Sequence, residues 1–206
     1  MRILFIGPHP DDCEIAAAGT VARFVAEGHE VWFHILGKAF ENSIPKPSEN
    51  LYQEAEKAAK TLGICNLHID DFPFLKYPDH AFEIRESLER TAAVFNPQMV
   101  FLPTEHDLHQ DHVTCSLEAQ RAFRSNEELI AYNTVSSRHG FNPNLFINIE
   151  KYMGVKDEVL QMYETQAGKP YFMNRDWVHM AAYWAHKSNY SLRTPVEAFE
   201  ILRKFM

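Results

Sequence analysis

The sequence predicts an α/β fold: a Rossmann-like, doubly wound and mostly parallel sheet with a less regular C-terminal part. Two observations carry this. Short continuous apolar runs recur along the first 130 residues, and each is followed by a stretch whose apolar residues repeat at helical spacing. Glycine and proline punctuate the joins between them.

Ile3-Leu4-Phe5-Ile6 is apolar at every position and is stopped by Gly7-Pro8, the pattern of a strand covered on both faces. Residues 14–27 follow as a helix, with Ile15, Ala18, Val21, Phe24 and Val25 on one side and Gly28 as its C′ residue. Val31 to Leu36 reads as the second strand, and residues 38–50, with two prolines, as a long loop. A helix over 49–62 ends before Gly63, and Asn66 to Ile69 forms a third strand. Phe82 to Phe95 is an amphipathic helix, Gln98 to Leu102 a buried strand, Asp111 to Arg124 a helix and Leu129 to Tyr132 a strand. Beyond these, Leu145 to Ile149 reads as a strand, and 151–165 and 175–187 as helices.

At 206 residues without a linker, the chain is expected to be one domain spanning 1–206, since roughly 100–200 residues make a domain. Twenty Lys plus Arg against 28 Asp plus Glu give a net charge of −8, which opposes nucleic-acid binding. Cys13, Cys65 and Cys115 are widely spaced, without a CxxC pair, and fit neither a disulfide framework nor a thiolate zinc site. No stretch approaches the roughly 18 apolar residues of a membrane span, and none has the form of a signal peptide. A cytoplasmic location is the expectation. Aromatic residues in the last third could form an interface in a homo-oligomer.

In a sheet of order 3-2-1-4-5, strands one and four are neighbours where the order reverses, and such sheets bind ligands outside the carboxyl ends of their strands at that point. His9-Pro10-Asp11-Asp12 follows the first strand; Asp107-Leu108-His109-Gln110-Asp111-His112 follows the fourth. His9, Asp12 and His112 would make a two-imidazole, one-carboxylate set, which suits Zn²⁺ with a position left for water and also suits Fe²⁺. Asp11 would then be a general base, and His109 a donor to a developing oxyanion or leaving group. Asp107 and Asp111 are natural partners to orient the histidines. His29, His34, His68 and His80 read as surface or strand-edge residues, and Cys13 as a buried structural thiol. The chain lacks G-x-G-x-x-G, a Walker lysine loop and a G-x-S-x-G elbow.

Gly7-Pro8-His9-Pro10-Asp11-Asp12-x-Glu14 with Ala18-Gly19-Thr20 resembles the opening of the PIG-L/LmbE family of metal-dependent de-N-acetylases, and His109-x-Asp111-His112 resembles its second signature. Weaker echoes lie in residues 54–63, 141–149, 156–166 and 196–199. The resemblance implies a Rossmann-like fold and hydrolysis of an acetamido group on a sugar or sugar conjugate. It also implies His9, Asp12 and His112 as metal ligands, Asp11 as the base for a metal-bound water, and His109 as the stabiliser of the tetrahedral intermediate. The chain departs from the family at Pro8, often Ala; at Leu51, often Arg; and at Asn133, often Glu. None of these touches the metal set, but Leu51 and Asn133 fall where sugar contacts are expected. The competing readings are a metal hydrolase of another amide or ester, and a non-catalytic sugar-binding relative. Tyr163, Tyr171, Phe172, Trp177, Tyr183 and Trp184 make residues 160–190 rich in aromatics; most of them are expected in the core, with one or two left to stack on a sugar ring or bind an apolar aglycone and so select the substrate.

Overall fold

The computed structural model describes residues 1–39, 50–126, 128–188 and 194–205. The predicted loop over 38–50 falls mostly outside them. In order, the elements are β1 (Arg2–Gly7), α1 (Asp12–Ala26), β2 (Glu30–Ala39), α2 (Asn50–Leu62), β3 (Asn66–Pro73), α3 (Ala81–Phe95), β4 (Met99–Pro103), α4 (Gln110–Ala122) and β5 (Glu128–Tyr132). There follow β6 (Leu145–Asn148), α5 (Met153–Gln161), the short α6 (Pro170–Met173), α7 (Asp176–Lys187) and β7 (Val196–Lys204). All seven strands join one sheet of order β3-β2-β1-β4-β5-β7-β6. The first five are mutually parallel, and β7 runs antiparallel to both β5 and β6.

The apolar run in β1 has a direct cause. Ile3 and Phe5 pack on one face with α1, α2 and α5, while Leu4 and Ile6 pack on the other with α3 and α4. Neither face meets water, so the strand has no polar alternation. β4 behaves alike: Phe101 faces the first core and stacks on Phe5 with centroids 4.3 Å apart, while Val100 and Leu102 face the second. Gly28 takes φ +83° at the end of α1, the left-handed conformation that a C′ glycine adopts without strain. Gly7 ends β1 because nothing larger fits: a Cβ there would lie 2.7 Å from Ile35 Cδ1 and 2.9 Å from Cys13 Sγ.

The structure adds one strand to the expected set. β7 is hard to anticipate because its residues, Val196-Glu197-Ala198-Phe199-Glu200-Ile201, mix charges with apolar side chains. Glu197 is nonetheless buried. Its carboxylate accepts the backbone N–H groups of Gly19 (3.0 Å) and Thr20 (2.6 Å) in α1, and the Lys156 ammonium at 2.5 Å. A buried charge persists only when paired and hydrogen-bonded in this way. The stretch 151–165 is also less regular than a single helix: α5 lies between short 3₁₀ turns at Glu150–Tyr152 and Glu164–Gln166.

His34 corrects an expectation. It is fully buried rather than at a surface or strand edge. Its Nε2 lies 2.8 Å from Asp70 Oδ2, and Thr91 Oγ1 lies 2.9 Å from its Nδ1. Burial holds its pKa below the ordinary 6.5 despite the neighbouring Asp70 carboxylate, with His68 and Arg90 adding to the depression. Asp70 is itself held below the ordinary carboxylate value: burial opposes this, but hydrogen bonds from His34, Ser87 and His68 prevail. The sign follows directly. Below about pH 6.5 the unfolded chain takes a proton at His34 before the folded one does, so stability falls as the pH drops through that value towards the lowered one. Asp70 acts in the same direction in more acidic solution. Removing this contribution in His34→Gln is therefore expected to shift the difference in urea midpoint between pH 5.5 and pH 7.5 in favour of pH 5.5, relative to wild type. An unchanged difference in that variant would remove His34 as the cause.

Candidate active site

The β1–α1 turn builds the first half of the site. Asp11 sits just before α1 with φ 96°, in the left-handed region that Asp tolerates better than most residues. This turn leaves Asp12 at the first helical position, where its Oδ2 accepts the His9 backbone N–H at 3.1 Å. The β4–α4 turn builds the second half. Asp107 Oδ1 accepts the His109 backbone N–H at 2.7 Å, and His109 caps α4 by accepting the Asp111 N–H on Nδ1 at 3.2 Å. β1 and β4 are adjacent, so the two turns meet at the point where strand order reverses.

Three inward-facing atoms converge there. His9 Nδ1 lies 3.2 Å from Asp12 Oδ2, His112 Nε2 lies 3.3 Å from the same oxygen, and the two nitrogens are 3.3 Å apart. The outer nitrogens are engaged by carboxylates. His9 Nε2 lies 3.0 Å from Asp111 Oδ2, and His112 Nδ1 lies 3.1 Å from Asp107 Oδ2. A carboxylate only accepts, so each outer nitrogen carries the hydrogen and each inner one is left with a lone pair. Two imidazole lone pairs and a carboxylate oxygen thus point at one spot, an arrangement that is repulsive unless a cation or a proton fills it.

The dimensions fit an ion. A tetrahedral ion with bonds of about 2.0–2.1 Å holds its ligand atoms about 3.3–3.4 Å apart. The triangle has that edge. His109 offers a further ring nitrogen within 4.8 Å of those of His9 and His112 and stacks on His112 at 4.5 Å between centroids.

The electrostatics tell the same story. With protons rather than a cation in the triangle, burial would raise the Asp12 carboxyl, but His112 and hydrogen bonds from both histidines hold it well below the usual range. Burial would lower His112, yet Asp12 and Asp107 push it up to about 10. The cluster attracts positive charge.

Asp11 is placed differently from Asp12. It is buried, its Oδ2 has no hydrogen-bond partner, and Lys169 Nζ stands 4.0 Å away. Burial and the Asp12 carboxylate push it up to about 8, against Lys169. A cation in the triangle would pull it down again, since a nearby positive charge favours the charged form. His109 is held below its usual value by burial and by its two histidine neighbours. With Nδ1 accepting the Asp111 amide, the neutral ring carries its hydrogen on Nε2, free to donate.

The structure therefore brings all five expected residues together, with Asp107 and Asp111 behind the histidines. Sequence reasoning does not find the supports of those carboxylates. Thr134 and Ser136 donate to Asp107, and the Leu75 N–H donates to Asp111 at 2.6 Å. Lys169 escapes it too: no local pattern marks a lysine that reaches a turn more than 150 residues earlier. Of the departures, Leu51 is a core residue, the Pro8 carbonyl accepts the Tyr77 hydroxyl at 2.6 Å, and Asn133 lines a cavity beside the site.

The sequence model of the PIG-L family, described as GlcNAc-PI de-N-acetylase, matches residues 4–123, which carry both turns. The chain belongs to the PIG-L family. It is a deacetylase hydrolase of that family. The chain is similar to the diacetylchitobiose deacetylase of Thermococcus kodakarensis, 25% identical over 187 residues that cover 80% of this chain and 70% of that protein. It is also similar to the uncharacterized deacetylase YaiS of Escherichia coli, 26% identical over 79% of this chain and 90% of that one. Among solved structures, the conserved protein TT1542 of Thermus thermophilus superposes with a TM-score of 0.79 at 23% identity, covering 99% of this PIG-L chain and 96% of its own. That likeness establishes the LmbE-like fold. No helix among the described residues is long and apolar enough to cross a membrane.

Proposed function

We propose that this PIG-L protein removes the N-acetyl group from an acetamido sugar or sugar conjugate, with a divalent cation held by His9, Asp12 and His112. The observation that carries this reading is the convergence of three lone pairs at tetrahedral spacing, each histidine backed by its own carboxylate. Two imidazoles and a carboxylate favour Zn²⁺ first and Fe²⁺ second. Such a cation polarises the acetyl carbonyl and makes water a nucleophile near neutral pH.

The chain's own groups supply the rest. Asp11, ionised beside the cation, takes the proton of the attacking water and returns it to the departing amine. His109 donates from Nε2 to the oxygen that gains charge as the carbonyl carbon becomes tetrahedral. Two neutral imidazoles and one carboxylate leave a divalent ion with net charge +1, which favours that oxyanion. Lys169, with Nζ 4.0 Å from Asp11 Oδ2, helps keep it ionised. The similarity to a diacetylchitobiose deacetylase supports a sugar as the carrier of the acetamido group.

The test is metal analysis of protein purified without oxygen, followed by acetate release from a panel of N-acetylated sugars. About one equivalent of zinc or iron is expected. Chelation should abolish acetate release, and restoring the ion should recover it. Metal-free protein that releases acetate at the full rate would end the proposal, as would release of phosphate from phosphoesters with none of acetate.

A further inference from the structure

A second group of metal-type donors lies within strands β2 and β3 rather than in the turns after β1 and β4. The two strands are parallel with His34 directly opposite His68, and Asp70 follows His68 by two residues, so the three side chains share one face of the sheet. One nitrogen from each ring and a carboxylate oxygen lie within 4.8 Å of one another. His34 Nε2 is 2.8 Å from Asp70 Oδ2, and His68 Nε2 is 2.9 Å from Asp70 Oδ1. Both rings aim the same nitrogen at one carboxylate.

Helix α3 covers the group and supplies its outer partners. Ser87 donates to the Asp70 carboxylate, with its Oγ 3.0 Å from Oδ1 and 2.8 Å from Oδ2, and Thr91 Oγ1 lies 2.9 Å from His34 Nδ1. A hydroxyl donates or accepts, so Thr91 suits either tautomer of His34. With protons in the group, His34 donates from Nε2 to Asp70. With its hydrogen on Nδ1, donated to Thr91, the ring presents a lone pair at Nε2. Ligating histidines are held in that second way, with the outer N–H tied to an oxygen.

The donor set and the access both suit a cation. Two neutral imidazoles and a carboxylate bind divalent transition metals and leave a net charge of +1. The 2.8 and 2.9 Å separations are those of proton-bridged pairs. A tetrahedral ion with bonds of about 2.0–2.1 Å needs its donors about 3.3 Å apart. Buried His34 is the fixed corner, whereas the His68 side chain is 51% exposed and has room to move outward. The same exposure gives the ion an entry path and a position for water.

We propose that His34, His68 and Asp70 form a second divalent-metal site, which takes Zn²⁺ from solution and pins β3 to β2 beneath α3. The site is structural and does not depend on the deacetylase reading. β3 is the last strand at its end of the sheet and pairs with β2 alone, so a cross-link there secures a strand with one neighbour. Because His68 is open to solvent, this ion exchanges during purification and has to be restored from solution.

The experiment is zinc uptake by chelator-treated protein, measured by equilibrium dialysis at micromolar free zinc. Two equivalents are expected for wild type, one for His112→Ala, one for His68→Gln and none for the double variant. Glutamine keeps an N–H for Asp70 while removing the imidazole, so the strand pair is retained. Zinc at a hundredfold excess over its Kd should raise the thermal midpoint of His112→Ala by about 5 °C or more and leave that of the double variant unchanged. Acetate release by zinc-loaded His68→Gln should equal that of wild type. Uptake that stops at one equivalent in wild type, or a second equivalent kept by His68→Gln, would overturn the proposal. Failure of the catalytic triangle to hold an ion would show instead as uptake unchanged by His112→Ala, and the comparison of wild type with His68→Gln would still decide the edge site.

Discussion

His112→Ala is expected to release the bound cation and to lower acetate release by about 10³-fold or more, as several kcal/mol of charge stabilisation are lost with the ion. The side chain supplies one corner of the triangle, 3.3 Å from each of the other two atoms. Two donors remain, too few for a tetrahedral ion with one open position. The fold should survive. Asp107 loses one partner but keeps the hydroxyls of Thr134 and Ser136 and the His109 amide. Metal content, kcat/KM and the thermal midpoint measured on the same preparation separate these effects. Exposed His139→Ala serves as the control and should match wild type. Full metal content and full activity in His112→Ala would remove this residue from the ligand set.

Asp11→Asn is expected to keep the cation and to lose turnover by about 10²–10⁴-fold, the range for removal of a general base. The exchange is informative because the backbone accepts it. Residue 11 has φ 96°, and asparagine is the residue that best tolerates the left-handed region after glycine. The amide matches the carboxylate in shape, so the turn that presents Asp12 is preserved. What disappears is the basic oxygen, buried 4.0 Å from Lys169 and without a hydrogen-bond partner. The loss should appear in kcat, with KM little changed, because the group acts on the attacking water rather than holding the sugar. Unaltered turnover would take the role of base away from Asp11.

Much of the site can be read from the chain because each half is local. His9 to Asp12 are four consecutive residues and Asp107 to His112 six, each group shortly after an apolar run whose burial is plain from its composition. Sheet topology then does the rest: β1 beside β4 brings the turns together without long-range information. β7 escapes such a reading because an antiparallel strand whose buried glutamate is paired with a distant lysine has neither continuous apolarity nor clean alternation. His34 is hidden for a similar reason. A lone histidine in an apolar strand gives no sign of the Asp70 and Thr91 groups that let it be buried. Lys169 and the hydroxyls around Asp107 come from segments whose approach depends on tertiary packing.

The position of β7 between β5 and β6 also governs how the molecule can be made. Domains begin to fold from their N-terminal side while the ribosome is still extending the chain. The residues of the metal triangle emerge early, together with Asp107 and Thr134, yet the outer edge of β5 must wait for a strand that follows every other strand in the sequence. Until then that edge presents unpaired amides and carbonyls, a template for another nascent copy. Lys156 waits as well, since its carboxylate partner arrives on the same late strand. One final insertion closes the edge and neutralises the lysine together.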